Sequence, residues 1–154
     1  RGFDMEIHYH DVRRVPPELE EGAIYHETLE DMLPLCDFLS IHCNATPETK
    51  GIMNAERFAL LPDGAIYVNA ARGAIHVDDA LIEALQSGKL MAAGIDAYNN
   101  EPNIDRKLAE LPNTFLMPHI GSATFEAREA MARKMVNDCI AILAGRPPLH
   151  PVPG

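Results

Sequence analysis

Residues 63–73 read DGAIYVNAARG, and this stretch decides the fold. Asp63 and Gly64 are typical of a turn, and Ala65–Asn69 is a short, nearly continuous apolar run. Such runs are typical of parallel strands that are covered on both faces, because a half-exposed strand alternates apolar and polar residues. The stretch therefore predicts a buried parallel strand, with Arg72 just past its carboxyl end.

The same pattern recurs along the chain, separated by helical patterns. The other predicted strands are Met5–His10, Asp37–His42, Met91–Asp96 and Thr114–Pro118. The predicted helices are Thr28–Leu35, Ala55–Leu61 capped by Asn54, a helix from a capping Asp78 to Gln86, and a long helix capped by Thr124 with Met131, Met135, Cys139 and Leu143 on one face. Strands that alternate with helices indicate an α/β fold with a Rossmann-type, doubly wound parallel sheet.

Composition limits the classes of partner. The 154 residues are 47% apolar and carry a formal net charge of −10, which predicts a folded domain without the basic surface that nucleic acid or anionic lipid requires. Cys36, Cys43 and Cys139 fit thiols in a reducing cytoplasm better than a disulfide framework or a metal site. No apolar run approaches the roughly 18 residues of a membrane span. We therefore expect a cytoplasmic protein.

Three side chains of complementary chemistry follow predicted strands. Arg72 lies in VNAARG, Glu101 in YNNEP and His119 in MPHIGS. The carboxyl ends of parallel strands meet at one edge of a sheet, so these residues are expected to converge. A guanidinium can bind a carboxylate through two hydrogen bonds, and an imidazole beside a carboxylate can transfer a proton near neutral pH. The trio predicts a site that binds an anion and moves a proton.

The motifs NAARG, GIDAY, NNEP and PHIGSAT, together with HCNATPETKGIMN, resemble those of the D-isomer-specific 2-hydroxyacid dehydrogenases. This family includes glyoxylate/hydroxypyruvate reductases, D-lactate dehydrogenases and phosphoglycerate dehydrogenases. The resemblance runs from Met5 to about Gly145 and implies an NAD-binding Rossmann domain over residues 1–145. It also implies that the proline-rich tail, residues 146–154, leads towards a separate substrate domain.

In this family the cofactor supplies a hydride to a small 2-keto acid. The resemblance implies that Arg72 binds the carboxylate and carbonyl groups of the acid. It implies that His119 supplies the proton and that Glu101 orients the imidazole and favours its charged form. The implied protein is an NAD-dependent oxidoreductase that interconverts 2-keto and D-2-hydroxy acids, and the intact enzyme is expected to be a homodimer.

The resemblance also implies cofactor contacts. Asp11 follows the first predicted strand, where an acidic residue accepts hydrogen bonds from ribose hydroxyls and repels a 2′-phosphate. Nearby Arg13 and Arg14 could hold that phosphate, so NAD is the expected cofactor and NADP stays open. The other expected contacts are Cys43, Asn44, Thr49, Ala70, Ala71, Arg72, Asp96, His119 and Gly121.

The sequence contains no G-x-G-x-x-G fingerprint. In a Rossmann sheet this fingerprint follows the central first strand. We therefore expect that strand and its phosphate loop to be missing, with Met5–His10 as the second strand and Ala65–Asn69 as the fourth. An open lane of about 9.6 Å, two strand spacings, should separate them. We also expect the chain by itself to bind NAD weakly and to be inactive.

Two other functions are compatible with the same fold. Formate dehydrogenases share it, but relatives of that type carry glutamine where this chain has Glu101. An NAD-sensing transcriptional corepressor would keep the cofactor pocket and bind a peptide elsewhere. Turnover of glyoxylate or hydroxypyruvate would separate an enzyme from a sensor.

Overall fold

The computed structural model describes residues 2–151. Its strands are β1 (His8–Tyr9), β2 (Ile24–Tyr25), β3 (Phe38–Ile41), β4 (Ala65–Asn69), β5 (Leu90–Ile95) and β6 (Thr114–Leu116). Its α-helices are α1 (Pro17–Glu20), α2 (Leu29–Met32), α3 (Ala55–Leu60), α4 (Asp78–Gln86), α5 (Arg106–Ala109) and α6 (Phe125–Leu143). The described chain divides into two compact units, one up to Pro118 and one from His119 onward. Within the described range, no helix is long and apolar enough to cross a membrane.

The first unit contains two parallel sheets. Strand β1 pairs with β2, and a second sheet has the order β3-β4-β5-β6. Every pairing is parallel, and helices connect the successive strands of the larger sheet. Parallel pairing needs such crossovers, because a tight turn cannot return the chain in the same direction. The predicted α/β fold of Rossmann type is confirmed.

One face of the larger sheet carries the hydrophobic core. Leu39 and Tyr67 point to this face and are buried, and helices α3 and α4 pack together with α4 against β5. The ring of Phe58 meets Tyr67 edge-on at a centroid distance of 5.2 Å, an arrangement that aromatic pairs prefer. On the other face Phe38 and Phe115 are 59% and 69% exposed. The helices of this unit therefore cover one face of the sheet. The apolar runs had predicted that both faces would be covered.

Helix starts follow the predicted capping with one exception. The side chain of Asn54 accepts a hydrogen bond from the backbone N–H of Arg57, and Thr124 caps α6 in the same way. These bonds satisfy N–H groups that have no partner inside the helix. The prediction for Asp78 is wrong. It is the first residue of α4, and its carboxylate binds other side chains instead.

The open lane exists, but its predicted boundary is wrong. A cavity of about 460 Å³ lined by residues 5–8 and 35–38 separates the two sheets. It therefore lies between β1 and β3, and β3 rather than Ala65–Asn69 faces it. The error arises from β2, which is absent from the sequence-based prediction because two residues cannot show an apolar period. In the strand order of a Rossmann sheet, β1 then corresponds to the second strand, β2 to the third, β3 to the fourth and Ala65–Asn69 to the fifth.

The second unit is dominated by α6. Its predicted apolar stripe is exposed, with Met131 at 51%, Met135 at 65% and Leu143 at 88%. The carboxylate of Asp138 accepts hydrogen bonds from the backbone N–H groups of Leu149 and His150 at 2.7 and 3.2 Å. These bonds attach the proline-rich segment to the helix. Residues 152–154 of that predicted tail, and Arg1, lie outside the described residues.

Candidate active site

The loops after β3 and β4 meet at the carboxyl edge of the larger sheet. A cavity of about 340 Å³ there is lined by residues 42–45 together with Ala71 and Arg72. It brings together four of the predicted site residues, with Cys43 and Asn44 from one loop and Ala71 and Arg72 from the other. In open parallel sheets, ligands bind in crevices outside the carboxyl ends of the strands. This cavity is therefore the candidate site of the first unit.

Thr49 shapes the loop after β3. Its hydroxyl donates to the carbonyl of Asn44 at 2.6 Å and accepts from the backbone N–H of Thr46 at 2.8 Å. Two residues further on, the N–H of Gly51 donates to the carbonyl of Ala74 at 2.8 Å. The predicted contact residue Thr49 thus closes its own loop, and the chain after it is joined to the loop after β4.

Asn69 fixes the loop that carries Arg72. The amide is fully buried at the end of β4. Its Oδ1 accepts from the N–H of Ala71 at 3.0 Å, and its Nδ2 donates to the carbonyl of Arg72 at 2.9 Å. The backbone of residues 70–72, which includes the predicted contact Ala70, is thereby held from below. The Arg72 side chain is exposed at the cavity, where its guanidinium can meet an anion.

The loops after β4 and β5 touch at Gly73. A Cβ added there would lie 2.1 Å from the carbonyl carbon of Tyr98 and 2.3 Å from the nitrogen of Asn99. Real Cβ atoms do not come that close to backbone atoms, so only glycine permits this approach. The residue beside Arg72 is therefore in direct backbone contact with the loop that leads to Glu101.

Glu101 and Asp96 lie in the loop after β5. The Glu101 carboxylate accepts from the backbone N–H of Tyr98 at 2.8 Å. The Tyr98 hydroxyl lies within hydrogen-bond distance of the carbonyls of Ile95, at 3.0 Å, and Met117, at 2.7 Å. These bonds anchor the loop to the ends of β5 and β6. Asp96 directly follows β5 and is buried.

His119 and Gly121 belong to the second unit. The backbone of His119 has a φ of 54°, which lies in the left-handed region that few non-glycine residues occupy. Residues held in this region cluster at active sites, where the surrounding structure imposes the strain. The conformation is consistent with a functional role for His119. Its partnership with Glu101 stays a prediction.

The predicted ribose ligand Asp11 is exposed two residues after β1. Arg13 and Arg14 are equivalent candidates in the sequence, but the structure gives Arg14 a defined partner. Arg14 donates to both carboxylate oxygens of Glu20, at 2.6 and 3.0 Å, and its guanidinium lies 5.6 Å from the ring centroid of Tyr25. The hydrogen bonds from Arg14 lower the pKa of the Glu20 carboxyl to about 2. Arg14 is therefore already paired with an acid.

Residues 1–121 match the family model described as D-isomer specific 2-hydroxyacid dehydrogenase, NAD binding domain. The chain belongs to this family. It is 43% identical over 147 residues to glycerate dehydrogenase from Hyphomicrobium methylovorum, a match that covers 94% of this chain and 45% of that protein. It is also 43% identical over 149 residues to glyoxylate reductase from Pyrococcus furiosus, covering 96% of this chain and 44% of the relative.

The solved structure of a reductase shares the fold. The NADPH-dependent glyoxylate/hydroxypyruvate reductase from Sinorhizobium meliloti, in complex with NADP and malonate, matches with a TM-score of 0.87 at 34% identity. The match covers 98% of this chain and 46% of that one. The chain thus spans less than half the length of these dehydrogenases. The family predicted from the motifs is confirmed.

Several residues that build the site could not be identified from the sequence. Asn69 and Tyr98 hold the two loops through hydrogen bonds to backbone groups, but a polar residue beside an apolar run carries no distinct signal in the sequence. Gly73 is a further such residue, because its close approach to the backbone of Tyr98 is visible only in the structure. The missed residues act on the backbone of the site, whereas the motifs identified the side chains that line it.

Replacement of Gly73 by alanine should destabilise the protein. The new Cβ would overlap the backbone of Tyr98, so we expect a loss of about 1–3 kcal/mol in the free energy of unfolding, the usual cost of overpacking. Urea unfolding of the natural full-length protein measures it. Gly94→Ala is the matched control, because its Cβ would meet only Val68 at 3.8 Å. Equal unfolding midpoints for the two variants would contradict the close contact.

Proposed function

We propose that the protein is an NAD-dependent oxidoreductase that transfers a hydride between its cofactor and a small 2-keto or D-2-hydroxy acid. The observation that carries the proposal is Arg72, exposed at a cavity that Cys43 and Asn44 also line. Relatives named glycerate dehydrogenase and glyoxylate reductase support a small acid as substrate.

Arg72 binds the carboxylate of the keto acid in this proposal. A guanidinium is planar and presents parallel N–H groups that match the two oxygens of a carboxylate. Its direction depends on the backbone below it, which Asn69 holds through the carbonyl of Arg72 at 2.9 Å. The side chain can therefore orient the acid as well as attract it.

The bound nicotinamide cofactor supplies the hydride, and the chain supplies the proton. His119 is the proposed donor to the carbonyl oxygen, because imidazole titrates near neutral pH. Glu101 is its proposed partner and stabilises the protonated ring. The carboxylate of Glu101 is itself held by the N–H of Tyr98, which gives it a defined position in its loop.

The residues at the cavity fit a nicotinamide dinucleotide. Small side chains, Ala45 and Ala71, line it beside Arg72, which leaves room for a flat ligand close to the backbone. Asp11 would hold the ribose hydroxyls. The further proposed contacts are Cys43, Asn44, Thr49, Ala70, Asp96, His119 and Gly121.

We extend the proposal to assembly and location. The exposed apolar side chains of α6, such as Met131 and Met135, support burial against further protein, and we propose that the intact enzyme is a homodimer. The free thiols of Cys36, Cys43 and Cys139 support a reducing cytoplasm. Light scattering of the natural full-length protein would measure the assembly.

Turnover tests the proposed function directly. The natural full-length protein should oxidise NADH in the presence of glyoxylate or hydroxypyruvate. It should not reduce NAD with formate. NAD binding without reductase turnover would favour an NAD-sensing corepressor. Oxidation of formate would favour a formate dehydrogenase.

Substitution of Arg72 by lysine keeps the charge but removes the planar fork. We expect kcat/KM for glyoxylate to fall by about 10²-fold, the cost of a misplaced substrate, with little change in affinity for NADH. Steady-state kinetics and NADH fluorescence titration measure the two quantities. The control is Arg106→Lys, at the exposed start of α5. An unchanged KM for the acid in Arg72→Lys would make Arg72 a structural residue.

The pH dependence of reduction tests the proton donor. His119→Asn should abolish turnover and keep NADH binding. In Glu101→Gln the neutral amide no longer stabilises the protonated imidazole, so the decline of kcat/KM at high pH should move to lower pH. A pH–rate profile from pH 5 to 10 measures the shift. A profile identical to that of the natural enzyme would remove Glu101 from proton transfer.

The choice of cofactor tests the loop after β1. We expect a higher kcat/KM with NADH than with NADPH, because Asp11 repels a 2′-phosphate and Arg14 is paired with Glu20. Glu20→Gln leaves the charge of Arg14 uncompensated, so kcat/KM for NADPH should rise relative to NADH. Glu18→Gln on the same helix α1 is the control. A natural preference for NADPH would mean that the arginines outweigh Asp11.

A further inference from the structure

A chain of polar side chains that begins at buried Asn69 and His76 lies beneath the proposed keto-acid site. His76 is 2% exposed, and its Nδ1 lies 2.9 Å from Nδ2 of Asn69. On the other side of the ring, Nε2 lies 3.2 Å from Oδ1 of Asp78. The ring of Tyr67 packs edge-on against the imidazole at a centroid distance of 5.8 Å. Burial of a polar side chain costs stability unless its hydrogen bonds are made, so His76 depends on these partners.

The bonds of Asn69 determine which nitrogen of His76 carries the hydrogen. Oδ1 of Asn69 accepts from the N–H of Ala71, which fixes the orientation of the amide. Its Nδ2 therefore donates to the carbonyl of Arg72 and to Nδ1 of His76. Because Nδ1 accepts, Nε2 carries the hydrogen and faces Oδ1 of Asp78 at 3.2 Å. This contact is the main reason why the pKa of the Asp78 carboxyl lies below its ordinary value.

The hydrogen bonds continue into the loop that carries Glu101. Oδ1 of Asp78 accepts from Nδ2 of Asn99 at 2.7 Å, and the same amide lies 3.3 Å from the carbonyl oxygen of His76. Asn99 precedes Glu101 by two positions. The network therefore runs from the carbonyl of Arg72 to the loop of Glu101, and it spans the same two loops that touch at Gly73.

We propose that His76 is a positioning residue that holds the loop of Arg72 in place against the loop of Glu101. The proposal rests on the proposed function, because it takes Arg72 as the carboxylate ligand. An apolar side chain cannot join a donor amide to an acceptor carboxylate, whereas glutamine offers one acceptor and one donor. Without the bridge, the carbonyl of Arg72 loses part of its support and the guanidinium moves away from the acid.

The kinetic test compares His76→Leu with His76→Gln in the natural full-length protein. We expect His76→Leu to raise KM for glyoxylate roughly tenfold or more, since small displacements at a site have effects of this size. KM for NADH should change less than KM for glyoxylate, because the proposed cofactor contacts Asp11, Cys43 and Asn44 lie outside the displaced loop. His76→Gln should restore most of the loss. Asn99→Ala breaks the network from its exposed end, and its KM for glyoxylate should change in the same direction.

A core substitution away from the site separates positioning from general loosening. Leu61 is buried just before the start of β4, at the end of the strand opposite Asn69. Leu61→Ala should lower the melting temperature and leave KM for glyoxylate unchanged. The proposal is overturned if Leu61→Ala raises this KM as much as His76→Leu does. It is also overturned if the natural enzyme turns over and His76→Leu, Asn99→Ala and the natural protein share one KM.

Nitrogen NMR of ¹⁵N-histidine-labelled protein tests the network without turnover. The expected spectrum shows His76 with hydrogen on Nε2, and hydrogen on Nδ1 would overturn the assigned bonds. If the natural protein reduces no keto acid with NADH or NADPH, the proposed function fails and the positioning role fails with it, while the tautomer is still decided by the spectrum. If His76→Leu does not fold, His76→Gln and Asn99→Ala decide the kinetic question.

Discussion

The buried amide of Asn69 is the constraint on which the candidate site depends. Its position at the end of β4 points it to the covered face of the sheet, where no water can satisfy it. A buried amide left without partners costs about 1–3 kcal/mol. The chain therefore turns so that the N–H of Ala71 and the carbonyl of Arg72 meet it. Burial at the strand end thus dictates the backbone from which the proposed anion ligand projects.

The adjacent strand β5 completes this arrangement. Parallel strands deliver their following loops to the same edge, and the missing Cβ of Gly73 lets the loop after β4 approach the backbone of Tyr98. Asn99 adds hydrogen bonds to His76 and Asp78. A guanidinium and a carboxylate from separate parts of the sequence are therefore held on two loops that are locked together.

Sequence patterns predicted the parts of this structure that depend on local periodicity. The strand Ala65–Asn69 has the predicted bounds because a turn precedes it and its apolar residues are continuous. The two-residue strand β2 was not predicted, because its extended conformation depends on pairing with β1 rather than on its own sequence. The predicted strand order was wrong for the same reason. Asp78 is a residue type that commonly caps helices, but its carboxylate contacts buried His76 instead of the backbone N–H groups of α4.

The family motifs predicted side chains that line the site. The hydrogen-bond network that supports them could be identified only from the structure. Arg72 and Cys43 follow predicted strands, so topology alone brings them to one edge. His76 gives no such signal in the sequence. Its role depends on its contacts with Asn69 and Asp78 and on its packing against the ring of Tyr67. Buried polar groups are specified by three-dimensional neighbours, and a single sequence does not list those neighbours.

The charge of the chain explains why geometry matters so much here. The formal net charge is −10, and both the proposed acid and the cofactor are anions. At physiological salt, charges further apart than about 8 Å are largely screened, so distant carboxylates repel a bound anion only weakly. Attraction must then come from groups at the cavity itself, where Arg72 lies. A single exposed guanidinium contributes little by charge and more by the direction of its hydrogen bonds. That direction is what Asn69, Gly73 and His76 fix.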